Sequence, residues 1–240
     1  MIRLSVALAA LIALPLAPAA AATKPAPKTS PVRDWSRTVA MTPEGGFRMG
    51  NPAAKVKVVE YGSLACPHCR HFEETGFKPL VQKYVRTGQV SYEFRNLLLN
   101  GPDISVSLLT RCSGAANFFA MSAVVYANQA QWEGKIQQAV AGLSDAQKAE
   151  MDKMTDQQRI VRYAELGGLQ QLGARFGVTP ARAKQCLSDP KALQRLLAMT
   201  EAANKAGVDH TPTFFLNGKV TDAASWEQLE PLIRQAGARG

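Results

Sequence analysis

Beyond residue 22 the sequence has no apolar run approaching the roughly 18 residues that a membrane span requires. It has no internal repeat and no block of five or six like charges. Histidine is scarce, at three residues, and cysteine nearly so, at four. Each shortage excludes something. Without a charge block, the formal charge of +9 belongs to scattered Lys and Arg side chains and describes no nucleic-acid footprint. A binding partner of that class is therefore not expected. Of the three histidines, His68 and His71 lie near one another and His210 is distant in sequence.

What is present starts at the N-terminus. Arg3 is followed by the apolar stretch LSVALAALIALPLA and then by the small residues Ala19 to Ala22. Charge, apolar run and A-x-A site in that order are those of a secretory signal peptide over residues 1–22. It is too short and wrongly flanked to span a membrane. No cysteine lies near the cut to take a lipid. The mature chain is expected to be exported and soluble, and periplasmic if the source is a Gram-negative bacterium. Removing Arg3 with the signal changes the formal charge from +9 to +8. Residues 23–45, opening with the Pro- and Lys-rich TKPAPKTSPVR, read as a mobile leader, with the globular part beginning between Trp35 and Phe47.

The β-branched run KVKVVEY, Lys55 to Tyr61, suits a buried strand. From Cys66 a helical pattern places Phe72, Phe77, Leu80, Val81 and Tyr84 on one side, with a kink expected near Gly76. Residues 89–99, QVSYEFRNLLL, read as a second strand. The order β-α-β favours a parallel pair. Residues 102–206 show only helix signals, with Asp103 expected to cap the first helix. Thr179-Pro180 and Asp189-Pro190 are further starts, and Gly207 is a stop. Strand character returns in TPTFFLNGKV, Thr211 to Val220, where Asn217-Gly218 signals a two-residue hairpin. A short helix follows from Ser225. The expected architecture is α/β: a strand-containing domain of 46–101 and 207–240, interrupted by a helical insertion of 102–206.

Chemistry concentrates in VVEYGSLACPHCRHF, Val58 to Phe72. Cys66 and Cys69 flank Pro67 and His68. A zinc site usually needs a second such pair or spaced histidines, whereas Cys112 and Cys186 lie 74 positions apart on expected helices. A c-type haem site needs His after the second cysteine, and Arg70 stands there. A redox dithiol remains. Cys66 falls where a strand gives way to a helix, and the unpaired N–H groups and positive dipole end there stabilise a thiolate. His68 can add charge or a hydrogen bond. A stabilised thiolate weakens the disulfide and makes the oxidised protein a donor of disulfides.

The segment Glu60-Tyr-Gly-Ser-Leu-Ala-Cys66-Pro-His-Cys69, followed by the helical insertion and then Thr211-Pro212-Thr-Phe-Phe-Leu-Asn-Gly, resembles the DsbA-type thiol:disulfide oxidoreductases of the thioredoxin superfamily. The likeness runs from about Gly46 to the C-terminus. It implies a thioredoxin-like α/β domain with an inserted helical domain. It also implies Cys66 as exposed nucleophile, Cys69 as its buried partner, and Pro67 and His68 as residues that tune the couple. Pro212 would be a cis-proline beside the cysteines, with Thr211 presenting backbone to an extended substrate. Glu60 corresponds to a buried acid relaying protons for Cys69, unless it is a strand-end carboxylate facing solvent. Arg95 is a candidate partner for Glu60. His210 either lines the site or is a plain loop histidine, and His71 reads as a surface residue.

Cys112 and Cys186 form an even remainder in an exported chain, which favours a structural disulfide over two buried thiols. The implied activity is introduction of disulfides into newly exported proteins with free cysteines. No cofactor and no metal are expected. The family resemblance adds a quinone-linked membrane partner for re-oxidation. The alternatives are the same chemistry run as isomerase or reductase, or a non-enzymatic thiol-based metal carrier using Cys66 and Cys69.

Overall fold

Val56, Val58 and Gly62 alternate with Lys57 and Tyr61, and a seven-residue β-branched run of this kind settles in the middle of a sheet. The computed structural model describes residue 2 and residues 33–240. The signal peptide read over 1–22 and the leader as far as residue 32 lie, apart from residue 2, outside the described residues. Six strands form one sheet in the order β1-β2-β4-β3-β5-β6. Their bounds are β1 Val39–Met41, β2 Phe47–Gly50, β3 Val56–Gly62, β4 Val90–Asn96, β5 Thr213–Leu216 and β6 Lys219–Val220. β3 and β4 are parallel, from Val56 opposite Val90 to Gly62 opposite Asn96. β5 runs antiparallel to β3 and β2 antiparallel to β4.

Two strands lie where the sequence suggested none. β1 falls inside the segment read as mobile leader, and with β2 it forms an antiparallel edge. Strands of three and four residues carry too few alternations to register as a pattern. The second expected strand stops at Asn96, because Leu98 N donates to Thr200 Oγ1 and Leu99 N to Asp103 Oδ2 instead of continuing the ladder. The hairpin between β5 and β6 turns at Asn217 and Gly218, with φ of 51° and 82°. Both central residues in the left-handed region is the type I′ geometry that Asn-Gly favours.

The helix between β3 and β4 begins as α1, Pro67–Phe72, widens into π turns over Glu73–Phe77, returns to α at α2, Lys78–Leu80, and widens again over Val81–Val85. At Gly76 a Cβ would lie 2.8 Å from the Trp226 Cβ and closer still to the Phe72 ring, so glycine lets the bulged segment close on its neighbours. The insertion comprises α3 Gly101–Cys112, α4 Phe118–Ala127, α5 Gln129–Ala141, α6 Asp145–Asp152, α7 Asp156–Gly167, α8 Leu169–Ala174, α9 Pro180–Leu187 and α10 Pro190–Lys205. The final helix is α11, Trp226–Gln235. The capping residue of α3 is Asn100, whose side chain accepts from Asp103 N at 2.9 Å, and not Asp103 as expected. Asp103 instead turns its carboxylate inward.

α4 carries Phe118 and Phe119 onto the sheet. The Phe118 ring stacks on Phe47 at 4.0 Å and Phe119 meets Tyr92 at 5.7 Å. Such pairs contribute about 0.5–1.5 kcal/mol beyond area burial. Cys112 and Cys186 are bonded, tying the end of α3 to α9 with Cα atoms 6.0 Å apart. Among the described residues no single helix is long and apolar enough to cross a membrane.

Candidate active site

β3 ends at Gly62, and the chain turns through Ser63, Leu64 and Ala65 before α1 starts at Pro67 with Cys66 as its N-cap. Pro at the first helical position needs no N–H partner, so the turn into the helix is sharp and fixed. The Cys66 sulfur therefore lies against the open N–H groups of the first turn. Cys66 and Cys69 are not bonded to one another in this structure.

The two sulfurs ionise very differently. Cys66 is pulled down to about 5, first by a hydrogen bond from Cys69, opposed by burial, and then helped by Thr211 and by the backbone N–H groups of Cys69 and His68. Cys69 is held well above an ordinary thiol by burial and by the neighbouring Cys66 and Glu60. One member of the pair is thus a thiolate at neutral pH and its partner a thiol, which donates the hydrogen bond that stabilises it.

Cys66 is not exposed, as the resemblance suggested, but only 4% accessible. The loop before β5 covers it, and a protonated Cys66 donates to the Thr211 carbonyl at 3.4 Å. The Thr211–Pro212 peptide is cis, and Pro212 is buried beside this contact. The His68 imidazole is exposed and has no hydrogen bond among the described residues, so His68 reaches Cys66 through its backbone. Pro67 is exposed on the same turn. His210 points outward, its Nδ1 2.8 Å from Asp209 Oδ1, and is 68% exposed; only its carbonyl, accepting from Thr213 Oγ1, takes part in the loop. His71 is exposed as well.

Glu60 is 2% exposed, which removes the reading of a solvent-facing strand-end carboxylate. Tyr92 donates to its Oε2. Burial raises its pKa to about 8, against the lowering effect of Tyr92, and Glu73 and Cys66 raise it further. Glu60 and Gly62 share one face of β3, and a Cβ at Gly62 would come within 2.7 Å of Glu60 Oε1. Glycine there makes room for the carboxyl.

Arg95 is not its partner. Paired strand residues share a face, and Arg95 is opposite Tyr61 while Glu60 is opposite Phe94, so the two project to opposite sides of the sheet. Arg95 binds Glu93 at 2.7 Å and donates to the Tyr61 hydroxyl at 3.1 Å.

Sequence reading missed several contributors. Glu73, partly buried on the first π turn, is raised to about 7 by desolvation and lies near Glu60. Asp103 is fully buried and raised to about 6 by desolvation, while it accepts from Ser63 Oγ at 2.7 Å. Tyr126 donates to the Ser63 carbonyl at 3.0 Å, and Gln129 Nε2 donates to the carbonyls of Leu64 at 2.9 Å and Cys66 at 3.1 Å. A polar residue on an amphipathic helix reads as solvent-facing until the partner surface is known, so nothing in the sequence tied these side chains to the cysteine pair.

The arrangement is a polarised dithiol above a buried, largely protonated carboxyl. The sequence matches the family profile described as thioredoxin over residues 42–235. A Rickettsia bellii protein, provisionally named a protein-disulfide oxidoreductase, is 32% identical over 195 residues, which is 80% of this chain and 65% of that protein. A Rickettsia typhi protein of similar name is 30% identical, and the match spans 60% of its length. The crystal structure of protein-disulfide isomerase from Novosphingobium aromaticivorans superposes with a TM-score of 0.70 at 30% identity, covering 79% of this chain and 96% of the other. That of Wolbachia pipientis α-DsbA1 gives 0.63 at 21% identity, covering 81% and 92%, a likeness of fold.

Proposed function

Because this chain belongs to the thioredoxin family, we propose that it is an exported dithiol oxidase of the DsbA type which introduces disulfides into proteins with free cysteines. The observation that carries this reading is the Cys66 thiolate, at about 5, beside a Cys69 thiol held well above the ordinary range. At pH 7 a group at about 5 is ionised roughly a hundred to one. A thiolate this stable favours the reduced protein and so gives the oxidised form its tendency to hand the disulfide on.

The reaction begins with Cys66 and Cys69 joined. A substrate thiolate attacks the Cys66 sulfur, forming a mixed disulfide and expelling Cys69 as a thiolate. Cys69 then takes up a proton, and neutral Glu60 is the buried acid beside it. A second substrate thiolate attacks the substrate sulfur of the mixed disulfide and expels Cys66. The substrate loses two electrons and two protons as its own disulfide forms; the pair gains both electrons and, on Cys69, one proton, while the other proton goes to solvent because Cys66 leaves as a stable thiolate. The low pKa of Cys66 makes it the better leaving group of the two protein sulfurs. Thr211 and the cis Pro212 offer the backbone edge beside Cys66 where an extended substrate segment would lie.

The signal peptide read in residues 1–22 supports export, and in a Gram-negative source the periplasm. A quinone-linked membrane partner, implied by the family resemblance, would return the pair to the disulfide. The isomerase reading is favoured by one observation, the name of the Novosphingobium structure. Trapping with Cys69→Ala tests the proposal. With Cys66 of that variant first joined to glutathione, the oxidase should exchange the glutathione for reduced exported proteins and accumulate mixed disulfides with them, and equilibration of the wild-type pair with glutathione should leave it largely reduced. A pair that stays oxidised against glutathione, or activity only on scrambled disulfides, would replace oxidase with reductase or isomerase.

A further inference from the structure

Three backbone carbonyls of the turn between β3 and α1 lie buried next to the reactive sulfur, and all three are bound by side chains of the insertion. Tyr126 Oη, near the end of α4, donates to Ser63 O at 3.0 Å. Gln129, at the start of α5, donates from one nitrogen to Leu64 O at 2.9 Å and to Cys66 O at 3.1 Å. A primary amide has two N–H donors, and here both are used on consecutive bends of one loop. Gln129 is 2% exposed, so its amide has no competing water around it. Its place is set by the break between α4 and α5 at Asn128, whose Nδ2 donates back to Val124 O at 2.8 Å. That break frees Gln129 to be the first residue of a new helix pointing at the loop.

We propose that Gln129 is a positioning residue of the redox pair: its amide clamps the Leu64 and Cys66 carbonyls toward the insertion, and so fixes the backbone that presents N–H groups to the Cys66 sulfur. This rests on the oxidoreductase reading above and extends it to the role of the inserted helices.

The physical argument concerns dipoles. A peptide group is planar and rigid, so a held carbonyl fixes the plane of its peptide; the Cys66–Pro67 peptide carries no N–H of its own, and its plane sets how the helix that carries the His68 and Cys69 N–H groups begins. The Cys66 carbonyl also accepts from Arg70 N at 3.1 Å, the first hydrogen bond of the helix. With that carbonyl doubly held, the N–H groups of His68 and Cys69 stay aimed at the sulfur, where both favour its charge. Without the amide, the buried Leu64 carbonyl loses its donor and the Cys66 carbonyl keeps only that of Arg70. The loop must then turn to find water, which swings the N-cap and brings negative carbonyl ends nearer a thiolate. The insertion thereby acts on the acidity of Cys66 without touching its sulfur.

The titratable groups that face Cys66 are Cys69 on α1, Glu60 on β3 and Glu133 on α5. Gln129→Met leaves each of them in place and keeps side-chain length while removing both donors, so it isolates the clamp. The test is ultraviolet titration of the Cys66 thiolate in the full reduced protein, with thermal unfolding measured in parallel. The expected result is an ionisation midpoint raised by about one pH unit, a tenfold loss of thiolate at a pH below the midpoint, with a matching shift of the equilibrium with glutathione. A variant that loses stability but titrates at the wild-type midpoint would overturn the proposal and make Gln129 merely structural. If Gln129→Met does not fold, Gln129→Asn, which keeps the amide but shortens its reach by one methylene, gives the same two readings. A wild-type Cys66 that ionises like a free cysteine would instead sink the oxidase proposal itself, so the two failures are told apart.

Discussion

Cys66 and Glu60 are both buried, yet burial decides only one of them. At Glu60 desolvation outweighs the Tyr92 hydrogen bond and the acid is neutral up to about pH 8. At Cys66 the donors of the first helical turn and Cys69 outweigh desolvation and the thiol ionises near pH 5. The consequence for stability follows from linkage. A thiol more acidic in the folded than in the unfolded chain stabilises the fold fully above its unfolded value, near 9, and loses that contribution as pH falls to about 5. Glu60 acts oppositely: its contribution is complete below about 4.5 and disappears as pH rises through about 8, and it largely cancels between redox forms. The reduced protein should therefore be the more stable form, and its advantage over the oxidised one should widen by about 3 kcal/mol between pH 5.5 and 7.5. Urea unfolding of both forms at the two pH values measures this, and a pH-independent gap would refute it. Glu60→Gln keeps the shape but cannot relay a proton. Attack of Cys69 on a glutathione mixed disulfide at Cys66 should slow about a hundredfold and lose the wild-type dependence on a group near pH 8, read by stopped-flow kinetics.

The elements that carry these groups differ in how openly the sequence declared them. β3 and the Asn217-Gly218 turn were legible, because seven alternating residues and a two-residue turn motif each have one favoured geometry. β1 and β2 were not, since their short runs become strands only by pairing with β4 and each other. The kink anticipated at Gly76 is a π-helical segment, produced where Phe72, Trp226 and the helix backbone crowd a residue without a side chain. Glycine has a second duty at Gly62, on the face shared with Glu60. Gly62→Ala would place a methyl 2.5 Å from the Phe94 ring and 2.7 Å from the Glu60 carboxyl. The expected outcome is a loss of about 1–3 kcal/mol in denaturant unfolding, with the pH dependence of Cys69 attack displaced. An unaltered stability would show that the sheet relaxes around the methyl.

For the molecule as a whole, the helical insertion is anchored twice. Near the site, Tyr126, Gln129 and Asp103 grip the loop before Cys66; at a distance, the Cys112–Cys186 bond joins α3 to α9. Closing a loop of this length stabilises by about 4 kcal/mol in the chain-entropy model. Replacing both cysteines by Ala should cost about 2–4 kcal/mol while leaving the Cys66 titration unchanged, since neither sulfur touches the redox pair. A shifted titration would instead show that the distant bond reaches the site. The sequence by itself determined the CxxC pair, its place between strand and helix, the late Thr-Pro and the α/β class with helices inserted, because all of these depend on residues near one another along the chain. Tertiary structure alone decided that Glu60 is buried, that Arg95 faces away from it, that Cys66 is covered, and that Gln129 reaches the reactive loop. Each of these depends on what packs against a residue from far along the chain, and burial and hydrogen bonding are properties of that neighbour as much as of the residue itself.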